Sequence, residues 1–148
     1  MRGVRHIVLL IAAFLSPVDE ARADRMAVLV TGNDCPIKEV TSLDVRKVYL
    51  GIRVSIDGHG LVPIRLVGDE LLTSVFYQSI VSMSRKSYER RELSLTLKYG
   101  TPRAATAETV ANAVELVRKY KCGIAYLWKE DADRFDAIRT VRTLWQGE

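Results

Sequence analysis

The sequence predicts an α/β domain with a mixed sheet flanked by helices, and three observations predict it. Short apolar runs that end in turn residues, such as "RMAVLVTG" (25–32) and "IAYLW" (124–128), have the length of buried strands. Between such runs lie segments with apolar residues three and four apart. The clearest is Val110, Ala113, Val114 and Val117, which makes one face of a helix. Strands that alternate with helices indicate helices packed on a sheet.

The elements follow in order. Arg25 to Gly32 opens the domain as a buried strand. After "NDCP", Thr41 and Asp44 have capping-box spacing ahead of "LDVRKVYL". There Leu43, Val45, Val48 and Leu50 suit a short helix that Gly51 stops. "RVSI" and "LVPIRLV" flank "DGHG", whose Asp57-Gly58 is a hairpin-turn signal. Pro63 lacks the N–H that a central strand donates, which places the second of these strands at a sheet edge or a bulge. Asp69 caps a helix with Leu72, Val75, Phe76 and Ile80 on one face. From Ser84 the charged run "SRKSYERRE" leads into "LSLTLKYG", and a helix to about Leu97 is expected. Arg85 and Glu89 in it read as an i,i+4 pair on a solvated face. "GTPRAAT" reads as a loop. The helix that starts at Thr106 carries Arg118, Lys119 and Lys121 at the negative end of its dipole and stops at Gly123. "IAYLW" is the next strand and "AIRTVRTLW" the last.

Residues 1–23 stand apart from this domain. Arg2 and Arg5 form a positive n-region, Ile7 to Leu15 an apolar h-region, and Ala21-Arg22-Ala23 a small-x-small cleavage pattern. A secretory signal peptide cut between Ala23 and Asp24 is expected, since nine apolar residues fall short of the ~20 that span a bilayer. The processed chain, 24–148, is a single domain of 125 residues destined for the periplasm. Its loss of Arg2, Arg5 and Arg22 against Asp19 and Glu20 lowers the net charge from +4 to +3. Mild basicity suits anionic partners. Cys35 and Cys122 both survive processing into an oxidising compartment, where one bridge between them and two separate buried thiols both stay open.

Several chemistries find no support. His59, in the tip of the "DGHG" turn, has no nucleophile and orienting acid in a motif around it, so it reads as a solvent-exposed turn residue and no catalytic residue is assigned. In the processed chain one histidine and two distant cysteines do not make a metal site, and no cofactor is implied. Export argues against nucleic acid as the target of "SRKSYERRE", and that segment lacks the apolar run with which surface helices enter membranes. After processing no stable membrane insertion is expected. Tyr126, Trp128 and Trp145 read as core and edge packing.

The stretch "PIRLVGDELLTSVF" (63–76) is the most suggestive. An apolar strand ends on Gly68 and enters a helix start, with Arg65 three residues before the turn. Strand, tight turn and helix N-terminus beside a cation can seat an anion. The segments "LDVRKVYLG", "GHGLVPIRLV", "VFYQSIV", "YGTPRAAT" and "KCGIAYL" together resemble one lobe of the phosphate-binding proteins of ABC transporters. More closely, they resemble the small exported proteins that share this type II periplasmic-binding-protein fold. The likeness spans roughly residues 27 to 127.

That resemblance implies a two-lobed clamp that grips phosphate or another small oxyanion through backbone amides, hydroxyls and an arginine. Arg65 is carried over as that arginine, with the Gly68 and Asp69 backbone and the hydroxyls of Thr73 and Ser74 as further ligands. Two features depart from the family. The chain has the length of one lobe, and "LVGDELL" stands where a Ser-Gly-Thr run is expected. Asp69 and Glu70 there satisfy the helix start from inside the chain and repel an incoming anion by about 1–4 kcal/mol. One Arg hydrogen bond to a charged group, about 1.5–3 kcal/mol, only just offsets that. Two functions follow: a non-catalytic oxyanion-binding domain with a degenerate site, or an accessory module that docks another periplasmic protein or a second copy.

Overall fold

The computed structural model describes residues 24–147. Seven strands and five helices alternate along it. β1 (Met26–Gly32) leads to α1 (Ser42–Tyr49), then to the two-residue strands β2 (Ser55–Ile56) and β3 (His59–Gly60). β4 (Val62–Leu66) feeds α2 (Glu70–Val75), which runs directly into a π-helical turn, Phe76–Ile80. α3 (Arg85–Tyr99), β5 (Ala105–Ala107), α4 (Val110–Lys119), β6 (Gly123–Trp128), α5 (Lys129–Ala132) and β7 (Ile138–Gln146) complete the chain. The predicted signal segment and its scissile Ala23 lie outside the described residues, and Asp24 is the first within them.

One mixed five-stranded sheet runs in the order β5-β4-β6-β1-β7. β4 is parallel to both β5 and β6, while β1 is antiparallel to β6 and β7. Its centre is covered on both faces, which is why β6 is buried at all six positions instead of alternating. A side chain at Gly123 would come within 2.7 Å of the Val117 carbonyl, so α4 lies against that face. Three residues on and of opposite parity, Tyr126 stacks on Phe76 of the π turn at 4.9 Å. This is the α/β layer with helices on a mixed sheet that the sequence predicts.

Local chemistry explains most of the boundaries. Thr41 Oγ1 accepts from the Asp44 amide (3.1 Å) and donates to its carboxylate (2.7 Å), which starts α1. Its buried face is Val45, Val48 and Tyr49, whereas Leu43 stands exposed. Asp69 caps α2, Ser84 caps α3 and Thr109 caps α4, each accepting from the amide three residues on.

Several sequence expectations are corrected. The Asp57-Gly58 turn exists, with φ of 51° and 80°, but it closes only β2 on β3. "LVPIRLV" instead joins the main sheet, where β4 is an interior strand. Pro63 is tolerated there for a directional reason. The Val62 amide donates to the Cys122 carbonyl on the β6 side (3.0 Å), so the next nitrogen faces the other way. On that other side, pairing with β5 begins only at Ile64. "GTPRAAT" is not all loop, because its last residues enter the parallel edge strand β5. α4 begins three residues later than expected, since Thr109 and not Thr106 provides the cap. α5 is short and polar and lacks a periodic apolar pattern long enough to read. His59 is half-buried in β3 and does not sit at an exposed tip.

Cys35 and Cys122 form a disulfide, with Cα atoms 5.0 Å apart and a sequence separation of 87. It ties the loop after β1 to the entry of β6, and Arg139 of β7 donates to the carbonyls of Cys35 and Ile37 on the same loop. Closing so long a loop removes much unfolded-state entropy. Replacing both cysteines with serine is expected to lower the unfolding free energy by about 2–5 kcal/mol. Urea unfolding of oxidised protein against the double variant checks this, and coincident midpoints would show that the bridge adds nothing.

Candidate functional site

The sequence-predicted ligand residues lie on β4, in the turn after it and within α2, but the fold sends them in different directions. Asp69 faces the sheet. One carboxylate oxygen accepts from the Leu72 amide and the other from Trp128 Nε1, both at 2.8 Å. Trp128 is in turn covered by the Arg25 guanidinium, 4.1 Å from the ring centroid, and meets Trp145 edge-on at 6.0 Å. The acid therefore serves two donors of its own chain. Gly68 is required by a backbone crossing, because a Cβ there would lie 1.8 Å from the Glu108 carbonyl oxygen. Ser74 is exposed and donates to the Glu70 carbonyl one turn back (3.1 Å). Thr73 is buried, and its Oγ1 has no partner.

Arg65 goes elsewhere. The β4–β6 register places it beside Tyr126 on the face covered by the π turn and α3. Its guanidinium carbon lies 4.7 Å from the Phe76 ring centroid, 4.8 Å from Tyr88 and 5.6 Å from Tyr77. Nη2 donates to the Tyr77 hydroxyl at 2.9 Å, and Nη1 stands 3.8 Å from the Glu92 carboxylate. Only 9% of the side chain is exposed. A buried guanidinium costs several kcal/mol in lost hydration. Three aromatic faces, each worth about 2 kcal/mol to a desolvated cation, and one carboxylate offset that cost. Nε remains without a partner. Among the described residues, the buried side-chain polar atoms left unpaired are Arg65 Nε and Thr73 Oγ1.

The shell around Arg65 is itself tied down. Tyr49 donates to the Ile64 carbonyl (3.0 Å), and Tyr88 to the Tyr49 carbonyl (2.8 Å). Burial pushes the Tyr126 hydroxyl up to about 12, against the opposing pull of the Arg65 cation. Burial also raises Tyr88, reinforced by the Glu92 carboxylate, and raises Tyr49. The charged run on α3 thus has an inward face, made by Tyr88 and Glu92. Arg85 lies over the Tyr77 ring at 5.5 Å instead of forming the expected pair with Glu89. Sequence reasoning missed Tyr77, Tyr88 and Glu92. The spacing of Tyr88 and Glu92, one turn apart within a polar segment, was the available signal.

Two outcomes test this geometry. Asp69→Ala removes a cap and strands a buried indole N–H, with an expected loss of roughly 2–4 kcal/mol by urea unfolding. Asp69→Asn, which keeps an accepting oxygen for the cap, is expected to cost less. The tyrosines give a pH signature. Tyr126 is held neutral up to about 12 in the folded state, whereas the unfolded chain releases that proton near 10. Stability is therefore complete below about pH 10 and falls between about 10 and 12, by ~1.4 kcal/mol per pH unit for each such tyrosine. A flat unfolding free energy across that window would contradict the burial of Tyr126.

No protein-family model matches the sequence, and no curated protein matches it. Solved structures do share the fold. An ABC-type phosphate transport receptor from Vibrio cholerae superposes with a TM-score of 0.57 at 12% identity, over 80% of this chain and 46% of its own. A candidate phosphate ABC transporter substrate-binding protein from Clostridium perfringens, solved with phosphate bound, gives 0.56 at 19% identity, over 80% and 45%. A "possible phosphate binding protein" from Planctomyces limnophilus gives 0.53 at 11%, over 80% and 41%. This chain spans less than half the length of each. Its fold is that of a single lobe of the substrate-binding proteins of phosphate ABC transporters.

Proposed function

We propose that the processed chain is an exported, non-catalytic oxyanion-binding domain of the substrate-binding-protein type, in which the helix-start seat at Gly68 and Asp69 is degenerate. The observation that carries this reading is Arg65. It is a buried cation with an unused Nε donor, set in a lobe whose structural neighbours include a phosphate-bound protein. Thr73 Oγ1 is a second buried polar atom without a partner. Asp69 is already engaged at both oxygens, so the binding energy falls to Arg65 and not to the first turn of α2. Glu92 stands in for the anion beside Arg65 and has to yield to a ligand.

Export to the periplasm is supported by the three-part leader pattern in residues 1–23 and by a disulfide of the kind that persists in oxidising compartments. Among the described residues no helix is long and apolar enough to cross a membrane.

Isothermal titration of the purified protein with phosphate and sulfate tests the function. Heat that saturates at millimolar concentration or below is expected. Arg65→Gln, checked for folding by circular dichroism, is expected to lose it. No heat from a folded protein at millimolar anion would remove the oxyanion reading. Cell fractionation, with mass spectrometry of the N-terminus, checks export and a start at Asp24.

A further inference from the structure

Arg65 also lines an open groove of about 610 Å³ between α3 and the segment that enters β5. Lys86 and Arg90, one helical turn or about 6 Å apart along α3, stand on one wall, and Arg103 stands on the other. All three are exposed. The carboxylates of the groove are Glu89 and Glu92, so four cations face two acids. Glu92 is already drawn toward Arg65, which leaves the outer walls the more strongly positive.

Two further observations separate this groove from an ordinary basic surface. Its floor includes a guanidinium more than nine-tenths buried whose Nε has no partner, a donor fixed in place by three aromatic rings. Its volume falls within the ~300–1,000 Å³ of small-molecule sites and is far more than one tetrahedral oxyanion fills. The cations are also spread over two walls and a floor instead of converging on a point. A ligand that satisfies them together carries several anionic groups in a row.

We propose that this groove binds a linear oligophosphate, with a terminal phosphate at Arg65 and the following groups against Lys86, Arg90 and Arg103. Arginine forks and a lysine point charge both suit phosphate oxygens. The proposal rests on the oxyanion reading for Arg65, and adds the place and the class of ligand. An oligophosphate reaches Arg65 along α3, so it need not approach the acidic helix start at Asp69 and Glu70.

Titration calorimetry with tripolyphosphate and, in a separate arm, inorganic phosphate tests it at fixed ionic strength. The variants are Lys86→Glu with Arg90→Glu, Arg103→Glu, and as a control Arg118→Glu with Lys119→Glu at the far basic patch. All lie at exposed positions, so folding is retained and is verified by circular dichroism. Tripolyphosphate is expected to bind at least about tenfold more tightly than phosphate. Each groove variant is expected to weaken it about tenfold or more, and the control to leave it unchanged. Equal loss in the control, or none in the groove variants, would overturn the site. Phosphate bound as tightly as tripolyphosphate would overturn the ligand class and leave the oxyanion reading standing. No heat with either anion would overturn both.

Discussion

A guanidinium inside the domain is the constraint around which this half of the structure is arranged. Arg65 lies on an interior strand, where its charge has little water to turn to, so the neighbouring elements must solvate it. Phe76 and Tyr77 arrive from the π turn, Tyr88 and Glu92 from α3, and Tyr126 from β6. The π turn has a clear part in this. The extra residue per turn shifts the register of the helix as it passes β4. Ser82, at φ 53°, then bends the chain into α3 so that Tyr88 and Glu92 return over the same cation. Without the charge to enclose, neither the widened turn nor the left-handed serine has an evident purpose.

Much of the fold was legible because it rests on local rules. The strands β1 and β6, the caps at Thr41 and Asp69, and the turn at Asp57-Gly58 all follow from patterns within a few residues. What could not be read depends on partners distant in sequence. Pro63 marks an edge strand by a local rule, yet it sits inside the sheet because β5 pairs only from Ile64 onward. The cysteine pairing needed a distance that sequence does not hold. At the site, Arg65 and the acidic first turn were both legible, and so was the consequence that Asp69 satisfies the helix start. The direction of Arg65 was not, since strand register across β4 and β6 decides it.

The half-length match to the structural neighbours gives these features a common frame. The matched part is less than half of each neighbour's length. Here the helix start is neutralised by Asp69, the arginine is enclosed by aromatic rings and Glu92, and the remaining positive charge is displaced outward onto α3 and Arg103. The charges of this face are thus either paired within the chain or exposed to water.

The strand order also has a kinetic side. β1 is the first element of the domain, yet it lies between β6 and β7, whose residues begin almost a hundred positions later. Contacts that distant are slow to close, because loop entropy is lost before pairing rewards it. The centre of the sheet therefore cannot assemble as the chain emerges from its N-terminus. β1, apolar from Met26 to Val30, has to wait unpaired for strands that begin only at Gly123. Until then it is an adhesive strand without a sheet, and a holding factor that shields residues 26–32 would govern the yield of folded protein more than any later step.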